Sequence, residues 1–145
     1  MPQLARALTL ALIAGAMTVA LGLTAPAGAV EAKPDVHPEW GGTATNAKIL
    51  KKGCRNYRYT YDITPPEGEW ALETFLVGPG GVRLAHDAMA IGMDPTQGAD
   101  SFRICRPSTR PGIFKIRALV SAQEKSGQGY VQGWLPVTKF RLRLR

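Results

Sequence analysis

The sequence predicts an all-β fold: an antiparallel β-sandwich of about seven short strands, preceded by a helical signal peptide. Three observations carry this expectation. Several runs alternate apolar and polar residues with a period of two, which puts each set on its own face of an extended chain. Gly- and Pro-rich breaks separate these runs roughly every 8 to 14 residues, the spacing of turns in a small sheet protein. Beyond residue 42 no stretch keeps the apolar periodicity of an amphipathic helix.

Residues 1–29 read as the signal peptide. Met1 to Arg6 carries one positive charge, and residues 7–23 form a 17-residue run with no charge at all. Ala27-Gly28-Ala29 then offers the small-x-small pattern of a cleavage site, with Val30-Glu31-Ala32 as a second candidate. A retained anchor is the competing reading. The apolar run is at the short limit for a span, and Gly15, Gly22 and Pro26 interrupt it. No Cys follows the run and no Arg-Arg pair precedes it, which favours general secretion over lipoprotein or twin-arginine export. The expected location is therefore extracellular or envelope-associated, with no stable membrane insertion after cleavage. Removal after Ala29 leaves 116 residues, enough for one domain with its own core. Residues 30–42, polar and Pro-containing, read as a flexible leader ending near Trp40, and residues 43–145 as the sandwich domain.

Each strand has its own signature. Residues 44–51 are a candidate first strand. In residues 55–64, Tyr57, Tyr59, Tyr61 and Ile63 alternate with Asn56, Arg58, Thr60 and Asp62, and Pro65-Pro66-Glu67-Gly68 ends the run. Residues 70–77 place Trp70, Leu72, Thr74 and Leu76 on one face, before the turn Gly78-Pro79-Gly80-Gly81. Residues 82–91 are a weaker strand, and residues 92–99 read as a loop around Asp94-Pro95 and Gly98. Phe102 and Ile104 alternate with Arg103 in residues 100–106. Phe114, Ile116, Ala118 and Val120 share a face in residues 113–123, with Lys115 and Arg117 on the other. Residues 124–129 are a loop. In residues 137–145, Phe140, Leu142 and Leu144 alternate with Lys139, Arg141, Arg143 and Arg145.

Two cysteines remain after export, Cys54 and Cys105, and an oxidising compartment makes a single disulfide the natural expectation. It closes a loop of 52 residues, and the loop-entropy relation gives such a bridge about 4 kcal/mol. A metal site would need ligands at short spacing, which His37 and His86 do not provide. The bridge also tests the strand order. In an immunoglobulin-type sandwich the second and fifth strands are antiparallel neighbours, so the start of one lies beside the end of the other. Cys54 opens the second predicted strand and Cys105 closes the fifth.

The run Pro111-Gly112-Ile113-Phe114-Lys115-Ile116-Arg117-Ala118 resembles the start of strand F in bacterial extracellular immunoglobulin-like and PKD-like domains. Residues 70–81, an apolar strand ending in a Gly/Pro turn, resemble strand C of such domains, and the whole chain resembles small uncharacterised exported bacterial proteins. The resemblance covers residues 44–145 and implies a fold, not a catalytic or ligand residue. The antibody pattern of a bridge packing on a strand-C Trp is not matched, because Cys105 precedes strand F.

Catalysis has little material here, and no cofactor is expected. His86 could in principle join Ser101 or Ser121, but no nucleophile elbow is present. Glu67, Glu69 and Glu73 read as edge charge around a turn. Asp94, Gln97 and Asp100 on a Gly-containing loop have oxygen ligands suited to calcium, yet lack the D-x-D-x-D-G pattern, and Asp94-Pro95 is a common turn opening. Leu135-Pro136-Val137-Thr138 begins like a wall-sorting motif but continues with Lys139 instead of Gly. Tyr57, Tyr59 and Tyr61 could stack on sugars, though one aromatic strand face is better read as core.

Charge is the most suggestive feature. Cleavage leaves 17 Lys plus Arg against 11 Asp plus Glu, a net charge of +6. Export makes nucleic acid a poor partner and an anionic envelope polymer, or another secreted protein, a better one. Lys139, Arg141, Arg143 and Arg145 share one face of the last strand, and Lys115 and Arg117 lie on the strand expected beside it. Solvated edge charge is the plainer reading of the same pattern. The expectation is a monomeric, secreted, non-catalytic binding domain. The alternative is a small inhibitor or carrier using the loop at residues 92–99 or that at residues 123–133.

Overall fold

The computed structural model describes residues 34–123, 126–127 and 129–145; the expected signal peptide lies outside them. Eight strands follow one another: β1 (Gly41–Ala44), β2 (Cys54–Ile63), β3 (Glu69–Val77), β4 (Arg83–Ala90), β5 (Gln97–Cys105), β6 (Gly112–Gln123), β7 (Tyr130–Trp134) and β8 (Thr138–Leu142). They form two antiparallel sheets. One has the order β1-β2-β5; the other runs β4-β3-β6, with β7 and β8 both paired to β6. Among the described residues no helix is long and apolar enough to cross a membrane.

The period-two patterns decide which faces meet. On β2, Tyr57, Tyr59, Tyr61 and Ile63 are buried and the residues between them exposed. Facing them from the second sheet are Trp70, Leu72 and Leu76 of β3 and Phe114, Ile116, Ala118 and Val120 of β6, in one continuous core. Tyr59 stacks on Phe102 with ring centroids 4.5 Å apart. Its hydroxyl reaches the opposite sheet and bonds that of Thr74 at 2.8 Å, so neither buried oxygen lacks a partner. Burial pushes the Tyr59 phenol far above its usual pKa. Cys54 and Cys105 are register partners at the end of the β2–β5 ladder and form the disulfide.

Four boundaries differ from expectation. The first strand lies at 41–44, ahead of the expected 44–51. The segment after it leaves the sheet, buries Leu50 and pairs Ile49 with Arg143 in parallel. Of the expected leader, residues from Asp35 onward are bonded into the domain. His37 N–H donates to the Trp134 carbonyl at 2.8 Å, Trp134 N–H to that of Asp35 at 2.7 Å, and Trp40 packs on the core. Strand β5 begins at Gln97, inside the expected loop, because Gly98 is the register partner of Tyr61. A Cβ there would stand 2.7 Å from the Tyr61 hydroxyl, so Gly98 makes room for a ring instead of breaking a strand.

The fourth difference is β7, which extends the last strand toward the preceding hairpin. Two residues disguise it. Gly133 pairs with Val120 and carries the stacked rings of His37 and Trp40, 4.0 Å apart, where any side chain would collide with them. Between β7 and β8 the register against β6 slips by one residue, a β-bulge spanning Leu135, Pro136 and Val137. Pro136, with no N–H to donate, sits in that bulge, while Leu135 is buried and donates to the Ala118 carbonyl at 2.8 Å.

Where the two sheets meet at their edges they leave two seams. Along β7 and β8 the chain itself closes the gap: Val36 bridges to Trp134, Thr43 and Thr138 share a hydroxyl hydrogen bond of 2.7 Å, and Ile49 bridges to Arg143. The seam between β4 and β5 has no such cover. Ile91 N–H donates to Trp70, which leaves the backbone groups of Ala88 and Ala90 pointing outward from β4. Asp87 accepts the Ala88 N–H at 2.9 Å and Asp94 that of Ala90 at 3.0 Å. Across the seam Asp100 accepts the outward N–H of Ser101 at 2.5 Å. Burial, then a hydrogen bond with Asp100, holds the Asp87 carboxyl above the usual carboxylate range.

Candidate functional site

Strand direction decides where the charges go. The β2–β3, β4–β5 and β6–β7 connections lie at one end of the molecule, and the β1–β2, β3–β4 and β5–β6 connections at the other, where β8 also finishes. Of the six cations expected on one face, Lys115 and Lys139 are register partners on the outer side of the second sheet, with Arg141 beside them opposite Ile113. Arg117 is half-buried, its guanidinium 4.0 Å from the centre of the Trp134 ring. Arg143 lies past β8, with its backbone bonded to Lys48 and Leu50, and Arg145 is exposed beyond it. Lys115, Lys139, Arg141 and Arg117 thus share a face; Arg143 and Arg145 belong to the end below it.

That end holds more cations than the sequence reading found. Lys48, Lys51 and Lys52 occupy the β1–β2 connection, and Arg106 and Arg110 the β5–β6 connection. Arg55 and Arg103 stand at the adjacent ends of β2 and β5. Arg83 opens β4 with its guanidinium 4.5 Å from the centre of the Phe75 ring. Among the described residues no Asp or Glu lies on these turns or on the strand ends that meet them. The two ion pairs among the described residues, His37–Glu39 and His86–Glu73, lie elsewhere and use no Lys or Arg. At the opposite end Glu39, Asp62, Glu67, Glu69 and Asp94 collect, and no described Lys or Arg lies on its turns. Glu39 is held below the usual carboxylate range by a backbone hydrogen bond and by His37. Among the described residues, charges of opposite sign thus collect at the two ends of the domain.

A groove of about 560 Å³ opens at the cationic end, lined by Lys48, Ile49, Phe140, Arg141 and Arg143 among others. Ile49, Val82, Ile113 and Leu144, all at this end, are exposed apolar side chains among the cations. At the acidic end a smaller groove, about 380 Å³, is lined by Trp70, Ile91, Gln123 and Tyr130. Of the two loops singled out for an inhibitor or carrier, that at residues 123–133 lines it through Gln123 and Tyr130, while Ala90 and Ile91 come from just before the loop at residues 92–99.

The other candidate groups do not converge. His86 stacks on Phe75 at 4.9 Å and contacts Glu73 at 3.2 Å, while the Ser121 hydroxyl accepts from Gln132 and Ser101 belongs to the other sheet. Gln97 donates to Asp62 at 2.9 Å, and Asp94 and Asp100 cap backbone N–H groups, so the calcium-type trio is turned to separate partners. Among the described residues no cluster of three or more His, Cys, Asp or Glu could hold a metal ion.

The signal for the polar arrangement was in the sequence. Successive turns of an up-and-down chain alternate between the two ends. The connections at 45–53 and 106–111 carry only cations, whereas those at 64–68 and 91–96 carry only carboxylates. Reading charge turn by turn finds the pattern; reading it along single strands does not. No protein-family model matches the chain, and no curated protein is significantly similar to it.

Proposed function

We propose that this protein is a secreted, non-catalytic, immunoglobulin-like binding domain that associates with an anionic polymer of the cell envelope. The order β1-β2-β5 facing β4-β3-β6-β7/β8 supports the immunoglobulin-like assignment: it reads as A-B-E against C′-C-F-G. A disulfide in a small domain accords with an oxidising, exported location. The observation that carries the binding reading is the cationic end, where exposed Lys and Arg from both sheets gather with no described carboxylate among them. Such a concentration of one sign raises the local density of polyanions and speeds their capture.

The test is binding of the exported protein to isolated envelope. Association at low salt should be lost as ionic strength rises toward ~1 M, where the screening length is ~3 Å. Retention that ignores salt would overturn the reading. A second reading, a carrier or inhibitor acting through the opposite end, draws on Met93, exposed beside the Ile91–Tyr130 groove. Under that reading, Met93→Ser would abolish binding while reversal of Lys139 would leave it intact.

A further inference from the structure

We infer that the cationic end is a docking surface for an anionic phospholipid bilayer, approached end-on with the acidic end pointing away. This rests on the reading that the domain binds an anionic envelope component and names that component. Charge alone suits any polyanion. What selects lipid is that apolar side chains stand exposed among the cations. Val82, which closes the β3–β4 turn, is 62% exposed, Ile113 47% and Leu144 46%. A soluble polymer offers these groups nothing, and solvent exposure gives them no stability. A bilayer interface offers both an anionic headgroup layer and hydrocarbon beneath it, and peripheral domains held there combine basic and apolar side chains in this way.

The groove repeats the same chemistry on a smaller scale. Its Ile49 and Phe140 supply apolar walls and its Lys48, Arg141 and Arg143 supply cations. A phosphodiester carrying a glycerol stem and acyl chains matches that pairing of walls and charges. Two arginines nearby are also held in place. Arg83 lies over Phe75 and Arg117 over Trp134, and the two rings are 5.9 Å apart. Packing on a ring lowers the freedom a guanidinium must give up when it bonds an oxyanion.

End-on docking makes a demand that binding through the outer face of β6 and β8 does not. Arg103 and Arg110 are exposed on β5 and on the β5–β6 connection. They belong to the cationic end yet lie off that face, so reversing them discriminates the two geometries. The experiment is co-sedimentation of the exported protein with vesicles of phosphatidylglycerol and phosphatidylcholine, and with phosphatidylcholine alone. Soluble polyglycerophosphate serves as the non-lipid anion.

The expected result is partition to the anionic vesicles only. The pair Arg103→Glu and Arg110→Glu should lower it about tenfold or more, and the pair Lys115→Glu and Lys139→Glu should do the same. Val82→Trp should shift its emission to the blue on anionic vesicles. Val82→Ser with Ile113→Ser should weaken vesicle binding but not polyglycerophosphate binding; all three pairs lie at exposed positions, and an unchanged melting curve checks the fold. Binding to polyglycerophosphate without binding to vesicles would overturn the lipid assignment and leave the polyanion reading standing. Binding to neither would overturn both. Loss confined to Lys115 and Lys139 would overturn end-on docking.

Discussion

The two seams of the molecule solve one problem by different means. Along β7 and β8 the open edge is covered by backbone: Val36 and Ile49 bridge to Trp134 and Arg143, and the Thr43–Thr138 bond lies between them. Along β4 and β5 the outward N–H groups of Ala88, Ala90 and Ser101 are met by the side chains of Asp87, Asp94 and Asp100. Exposed edges invite pairing with other chains. A backbone cover removes the edge permanently and adds buried contacts. A carboxylate cap blunts the edge without covering it, and its strength varies with protonation. One seam is therefore part of the fold, and the other is a surface with adjustable chemistry.

That contrast can be broken from either side. The largest effect should come from the disulfide, which holds β5, one wall of the aspartate seam, to β2. Reduction should lower unfolding stability by about 4 kcal/mol, read from denaturation with and without reductant. A change below ~1 kcal/mol would mean that strand pairing alone secures β5. Next is Gly133→Val, which drives His37 and Trp40 off β7. It should cost about 1–3 kcal/mol and expose the chain near residue 40 to proteolysis. The same substitution should leave the aspartate seam untouched.

The smallest effect is a dependence on pH. The folded protein binds the Asp87 proton more tightly than the unfolded chain does, because burial and Asp100 disfavour the charge; His86 and the Ala88 N–H oppose this in part. The stabilisation this provides is complete below the unfolded carboxylate value and is lost as pH rises through the folded one. Melting temperature should therefore decline from about pH 4 toward neutral. Asp87→Asn keeps an acceptor for Ala88 and removes the charge, so it should flatten that decline and raise stability at neutral pH. An unchanged slope in this variant would assign the pH dependence to another group. The segment covering the β7–β8 seam should give a slope of opposite sign, because Glu39 is held below the usual carboxylate range by a backbone hydrogen bond and by His37, and that stabilisation is lost as pH falls.

Much of this fold was readable residue by residue. The faces of β2, β3 and β6 follow from alternation, because the direction of a strand side chain is a local property of extended backbone. The pairing of Cys54 with Cys105 followed once β2 was laid beside β5. Gly98 and Gly133 misled the reading, since each resembles a breaker when taken alone. The reason for each lies across space: the Tyr61 ring and the His37–Trp40 stack. For the candidate site, the sequence marked Lys115, Arg117, Lys139, Arg141, Arg143 and Arg145 but missed cations of other strands and turns, Arg83, Arg103 and Arg110 among them. Those join the group only because different turns reach the same end.

By itself, then, the sequence determined the element type, the buried faces and the bridge, all of which depend on near neighbours and on period two. Tertiary structure decided where the edges close and where the charges collect. Those depend on which segments lie side by side, and no local preference of the chain encodes that. The cationic end exists because antiparallel topology brings the connections at 45–53 and 106–111, which carry only cations, to the same end as the cations of the adjoining strand ends.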